Sequence, residues 1–128
     1  MLPDTSIWAR FLPKVADDEC DVLRGIGAGA GTVTARACVL HGPDDFDQLR
    51  PGDVLVAVTT TPAWTPLFAM AGAVVTDIGG PLSHSSIVAR EYGIPAVMGV
   101  GTGTRRIRTG QTITVDGAKG EVRLRRNG

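Results

Sequence analysis

A chain of 128 residues and 13.4 kDa has room for one core, and its 43% hydrophobic and 20% charged residues exclude wholesale disorder. Thirteen acids balance thirteen bases, which argues against a dedicated nucleic-acid binder, yet residues 1–60 hold nine acids and five bases and residues 61–128 four acids and eight bases. The length also excludes a self-contained ATP-dependent enzyme with separate nucleotide and substrate domains, so any such chemistry requires a partner.

In chain order, residues 1–24 read as a leader or linker, with Trp8, Phe11 and Leu12 set among polar residues ahead of the acids Asp17, Asp18, Glu19 and Asp21. The compact part is expected from Gly25 to the end. Gly25-Ile26-Gly27-Ala28-Gly29-Ala30 has the letter pattern of a dinucleotide loop, but a charged segment precedes it and a strand follows, so it reads as a flexible lead-in. Thr32–Leu40 alternates like a strand, Asp44–Leu49 like a helical turn, and Asp53–Val58 is a short strand of the buried kind. Residues 54–76 carry no charge and are long enough to cross a membrane, but three threonines, Pro62 and Pro66 break them into strand, loop and a helix over Ala63–Ala71. A further buried strand, Ala73–Asp77, leads through Ile78–Leu82 to a helix from Ser83 to Tyr92, closed by Gly93. Pro95–Met98 is a third buried strand. After a glycine-rich loop, Gln111–Asp116 and Gly120–Arg125 form a hairpin about Asp116-Gly117. With aromatics at 5%, the core falls to Val, Ile, Leu and Ala.

Several site patterns fail on spacing. The only lysines, Lys14 and Lys119, lack the glycines of a phosphate-binding loop. Cys20, Cys38 and His41 offer three zinc ligands without a fourth or a second tight pair, so no metal is expected. Two cysteines make no disulfide scaffold, and no signal peptide opens the chain, which points to the cytoplasm and to no membrane partner. Arg105, Arg106, Arg108, Arg123, Arg125 and Arg126 fit solvated strand ends or an acidic partner better than nucleic acid.

The chemistry concentrates in Thr76-Asp77-Ile78-Gly79-Gly80-Pro81-Leu82-Ser83-His84. A buried strand delivers the chain to two glycines that permit a sharp turn, Pro81 stiffens the return, and Ser83 is a good helix N-cap. His84 then stands in the first helical turn, beside unpaired N–H groups and the positive end of the helix. That setting suits a nucleophilic ring and any phosphoryl group attached to it, with Ser85 and Ser86 as further donors. A histidine that merely caps a helix or fills a polar pocket is the alternative these residues leave open.

The run Gly79-Gly80-Pro81-Leu82-Ser83-His84-Ser85-Ser86-Ile87-Val88-Ala89-Arg90-Glu91-Tyr92-Gly93-Ile94-Pro95-Ala96-Val97-Met98-Gly99 resembles the phosphohistidine signature of the phosphoenolpyruvate-utilising enzymes. These include pyruvate phosphate dikinase, phosphoenolpyruvate synthase and rifamycin phosphotransferase. Gly52–Val56, Thr61–Trp64, Gly110–Gly117 and Gly120–Val122 resemble further segments of the same mobile domain, so the likeness runs from about Arg24 to Leu124. It implies an α/β chain forming a single compact β/β/α swivelling domain. The family's phosphorylated histidine falls on His84, and the loop and helix residues Thr76, Gly79, Gly80, Ser83, Ser85, Ser86 and Arg90 become its phosphate loop and support. The chain departs from many members in having Ser85-Ser86 for two alanines, and Leu82 for a threonine that offers the ring a hydroxyl.

The resemblance implies a phosphotransferase component in which His84 relays a phosphoryl group between an ATP-grasp nucleotide domain and a phosphoenolpyruvate/pyruvate or other acceptor domain. No cofactor is expected in this chain, because ATP and magnesium belong to the partner domains, and the isolated chain is not self-sufficient. Arg90 is expected to form an ion pair with Glu91 or Asp77. The alternative is a regulatory or docking module that keeps the fold without the chemistry.

Overall fold

The structure is a computed structural model that describes residues 20–125, so the leader piece around Trp8 to Leu12 lies outside the described residues. The described residues form eight strands: β1 (Cys20–Arg24), β2 (Ile26–Ala28), β3 (Thr32–Val39), β4 (Val54–Ala57), β5 (Ala73–Thr76), β6 (Ala96–Met98), β7 (Thr112–Asp116) and β8 (Glu121–Arg125). The helices are α1 (Thr65–Phe68), α2 (His84–Tyr92) and α3 (Gly103–Arg106), with 3₁₀ turns at Pro43–Gln48 and Pro62–Trp64.

The strands hydrogen-bond in the order β1-β8-β7-β3-β4-β5-β6-β2, and β3 serves two sheets. Its first half, Thr32–Arg36, runs antiparallel to β7, while Ala37–Val39 runs parallel to β4. On one side of that switch lies an antiparallel sheet of β1, β8, β7 and β3; on the other, parallel β3, β4, β5 and β6 edged by antiparallel β2. Both faces of the parallel strands are covered, which explains their unbroken apolar composition. Leu55, Ala57, Val74, Ala96 and Met98 pack toward α1 and α2, with Trp64, Phe68, Val88 and Ala89. Their neighbours Val54, Val56, Ala73, Val75 and Val97 pack the other way, with Leu23, Ile107, Ile113, Val115, Val122 and Leu124. Trp64 and Phe68 are buried, so two aromatics join the aliphatic core.

Three expectations need correction. The leader does not extend to Arg24: Cys20–Arg24 pairs residue by residue with Glu121–Arg125, and Leu23 is buried beneath it. The strand buries Leu23 and leaves the adjacent Val22 exposed on its other face, and beside the acidic run so short an apolar pattern resembles a linker. The glycine-rich lead-in is also ordered. Ile26–Ala28 pairs with β6, and its glycines are required by contact, since a Cβ on Gly27 would fall on the carbonyl oxygen of Gly117 and one on Gly25 on that of Met98. Finally, the expected helix over Ala63–Ala71 is a 3₁₀ turn followed by the four-residue α1, and the short helix α3 follows the glycine-rich loop.

Arg36 on β3 grips Asp53 ahead of β4 through Nη2–Oδ2 at 2.6 Å and Nε–Oδ1 at 3.3 Å, and these bonds hold the guanidinium more firmly charged. Burial beside them pushes the Cys38 thiol up, despite the opposing charge of Arg36.

Candidate functional site

Parallel strands carry ligand sites beyond their carboxyl ends, and the residues singled out in the sequence gather there, after β4 and β5. Strand β5 ends at Thr76, whose buried hydroxyl donates to the Ile78 carbonyl at 2.9 Å and turns the chain outward. Asp77 then anchors the turn: its carboxylate accepts from Gly103 N at 2.5 Å and from the Thr104 hydroxyl at 2.6 Å, at the start of α3. Gly79 has φ +139°, which an L side chain rarely adopts, and a Cβ there would press on Ser83 Oγ. Gly80 has open space around its Cα; what the site uses is its carbonyl oxygen.

That carbonyl accepts from Ser83 Oγ at 2.8 Å and from Ser86 Oγ at 2.7 Å. Ser83 is the N-cap of α2, taking the Ser86 N–H on its side chain at 3.3 Å, while Gly93 closes the helix with φ 71°. The serines therefore bind loop to helix. Ser85 and Ser86 are both buried and engaged, so their hydroxyls do not face an incoming phosphoryl group as expected. The first-turn N–H groups of His84 and Ser85 have no carbonyl within the helix and remain as donors. Arg90 also departs from expectation. Its Nη1 donates to the Pro81 carbonyl at 3.0 Å, tying the far end of α2 to the loop without a carboxylate, because Asp77 is committed to α3.

His84 is half-buried and gripped from a segment that sequence reasoning did not single out. Thr60 Oγ1, from the loop after β4, lies 3.0 Å from His84 Nδ1 and 2.5 Å from Ser85 Oγ. Thr65 Oγ1 at the start of α1 stands 3.5 Å from Nε2, too far for a strong bond, and Phe68 meets the ring edge-on at 6.2 Å. The ring thus has its hydroxyl partner in spite of Leu82; it comes from Thr60. The available signal was Thr59-Thr60-Thr61, three hydroxyls at the end of a buried strand. Beside them, Leu40, His41, Pro43, Val58, Thr59 and Trp64 are among the residues lining an open pocket of about 340 Å³. His41 is among the lining residues, none of which comes from α2. Among the described residues no group of three or more His, Cys, Asp and Glu side chains comes together, and no helix is long and apolar enough to cross a membrane.

Residues 49–120 match the family described as PEP-utilising enzyme, mobile domain. The chain belongs to that family. Over 98 residues, 77% of this chain, the mobile domain is 52% identical to the uncharacterised phosphotransferase YvkC of Bacillus subtilis. It is 45% identical over 109 residues, 84% of the chain, to rifampicin phosphotransferase of Streptomyces sviceus. It spans only 12% of the length of each of these relatives. Among solved structures, the NMR structure of the Enzyme I protein nEIt superposes with a TM-score of 0.54 at 36% identity, over 61% of this chain and 32% of that one. The mobile domain is thus a domain type of phosphotransferases, and its α/β fold and family agree with the resemblance read from its signature.

Proposed function

We propose that this chain is a phosphohistidine carrier in which His84 takes a phosphoryl group from a nucleotide-bound donor and passes it to an acceptor. The observation that carries this reading is the asymmetric hold on the ring at the start of α2, with Nδ1 on the Thr60 hydroxyl at 3.0 Å and Nε2 only at the long reach, 3.5 Å, of the Thr65 hydroxyl. When Thr60 accepts from Nδ1–H, the lone pair lies on Nε2, the atom free to attack. In the forward step the P–N bond forms at Nε2 while the P–O bond to the donor breaks, the leaving oxygen keeping the electron pair. The helix-start N–H groups meet the phosphoryl oxygens. In the second step an acceptor oxygen attacks phosphorus and the P–N pair returns to Nε2. Because Nδ1 has stayed protonated, the ring leaves as neutral imidazole. Thr60 serves both directions through one bond.

The donor in this reading is an ATP-grasp domain using magnesium, and the acceptor site binds phosphoenolpyruvate/pyruvate or a small molecule, both outside this chain. Among the described residues, the segments around His84 carry no carboxylate but Asp77, which is committed to α3. The compartment proposed is the reducing cytoplasm. The test is labelling with a competent donor enzyme and radiolabelled ATP. An acid-labile, alkali-stable label on the His84 peptide supports the relay, and ATP with magnesium alone should leave the chain unmodified. A label elsewhere, or labelling without any donor enzyme, would overturn it.

A further inference from the structure

Apart from His84 itself, the segments that surround the ring carry no charge. Residues 54–76 and 78–89 contain no Asp, Glu, Lys or Arg. The charged residues that bracket them, Asp77 and Arg90, are turned to structural partners, the start of α3 and the Pro81 carbonyl. In place of charge the rim exposes aliphatic side chains: Leu82 at 84%, Ile78 at 61%, Ile87 at 44% and Val58 at 42% of full accessibility. Chain connectivity puts them together. Val58 is two residues from Thr60, and the Ile78 N–H donates to the Val58 carbonyl at 2.9 Å. Leu82 is two residues before His84, and Ile87 is three after it, on the same face of α2. Val58 continues the rim into the pocket beside Trp64 and Pro43.

We infer that Leu82, Ile78, Ile87 and Val58 form a docking collar around His84, and that its occupant is a partner protein surface with an apolar rim and a recessed cationic centre. Charge complementarity selects that occupant. A phosphoryl group on His84 brings up to about two negative charges, and among the described residues the segments around the ring supply hydroxyls and N–H dipoles, and no cation, to meet them. The compensating guanidinium, ammonium or metal charge must then come from the partner, while the collar excludes the water that would hydrolyse the phosphoramidate. A second copy of this chain does not qualify, since it would press two uncompensated phosphoryl sites together. Leu82, the most exposed of the four, is the anchor. The inference rests on the carrier reading and adds the chemistry of the surface that the carrier meets.

Two donors separate this inference from the reading beneath it. Phosphoramidate is small enough to phosphorylate a histidine without any docking surface, losing ammonia as the new P–N bond forms. The protein donor is the Bacillus subtilis phosphotransferase with its own matching 98 residues deleted, supplied with ATP and magnesium. The variants are Leu82→Gln, Ile78→Gln and, as a control at an exposed apolar position on β1, Val22→Gln, which remove aliphatic surface without setting a carboxylate beside the ring. Phosphoramidate should label His84 equally in wild type and all three variants, and circular dichroism and melting curves near wild type show that each has folded. The protein donor should label wild type and Val22→Gln alike and lose about tenfold or more with Leu82→Gln and Ile78→Gln. Full labelling of Leu82→Gln by the protein donor overturns the collar and leaves the carrier intact. Failure of both donors to label His84 in the wild type overturns the carrier and the collar together. A stable dimer in sedimentation that Leu82→Gln dissolves would assign the collar to self-association and overturn the proposed occupant.

Discussion

His41 and His84 are the two histidines of the chain, and both follow strands of the same parallel sheet, His41 just beyond β3 and His84 across the loop from β5. Their surroundings have little else in common. The backbone N–H of His41 is taken by the Asp45 carboxylate at 2.9 Å, and Asp44, Asp45 and Asp47 fill the 3₁₀ turn that follows. His84 opens a nine-residue helix, rests its Nδ1 on a buried threonine and has no acid in the first turn. The imidazole is the same in both places. What differs is the charge a phosphoryl group would meet: carboxylates in one loop, N–H dipoles and hydroxyls in the other. At short range a carboxylate beside a phosphoryl group costs about 1 kcal/mol or more, enough to decide which ring carries it.

The sharpest way to break this contrast is to remove each ring in turn. His84→Ala should abolish the acid-labile label while circular dichroism and the melting curve stay near wild type, whereas His41→Ala should label fully. Loss of label in His41→Ala alone would reverse the assignment. Next in size is Thr60→Val, which keeps the volume and deletes the hydroxyl. The transfer rate should fall about tenfold or more, the equivalent of one hydrogen bond to a charged ring. The ¹⁵N spectrum of the ring should lose its preference for the Nδ1–H form, a readout that a merely structural role for Thr60 would leave in place.

Smaller effects test the frames that hold the two loops. Ser83→Ala removes the cap of α2 and one of two hydroxyls on the Gly80 carbonyl, and should cost about 1 kcal/mol in chemical denaturation. On the His41 side, Cys38 lies in β3 with its thiol pushed up by burial. An acid whose folded value is raised binds its proton more tightly in the native state, so its contribution is complete below the unfolded value and declines above it. Stability should therefore fall as pH rises past about 8.5, and Cys38→Val should flatten that decline. In a Cys20→Ser background, native Cys38 should also resist thiol reagents until the chain unfolds.

What the sequence disclosed and what it hid follow from the range of the interactions. The strand over Thr32–Val39, the buried strands β4 to β6 and the capped helix α2 are written in local pattern, as is the glycine turn at Gly79. Thr60 could not be read in the same way, because it reaches His84 across 24 positions and only the side-by-side placing of β4 and β5 brings them together. The same holds for Gly25 and Gly27. Their composition announces flexibility, yet the β2 to β6 pairing makes them close-contact residues in a rigid seam. The ion pair expected of Arg90 failed for a related reason: the nearby carboxylate was already serving a helix that the sequence pattern did not announce.

The pairing of β1 with β8 has a mechanical consequence. Cys20 lies opposite Arg125, so the two ends of the described body are adjacent, about 5 Å apart as in any antiparallel pair. Set within a longer polypeptide, a body joined at those two strand ends would be held at one corner, like a door whose hinge pins share a post. Rotation about that corner would keep both ends in place, and it would carry with it the start of α2, where His84 stands on the parallel sheet across the shared strand β3.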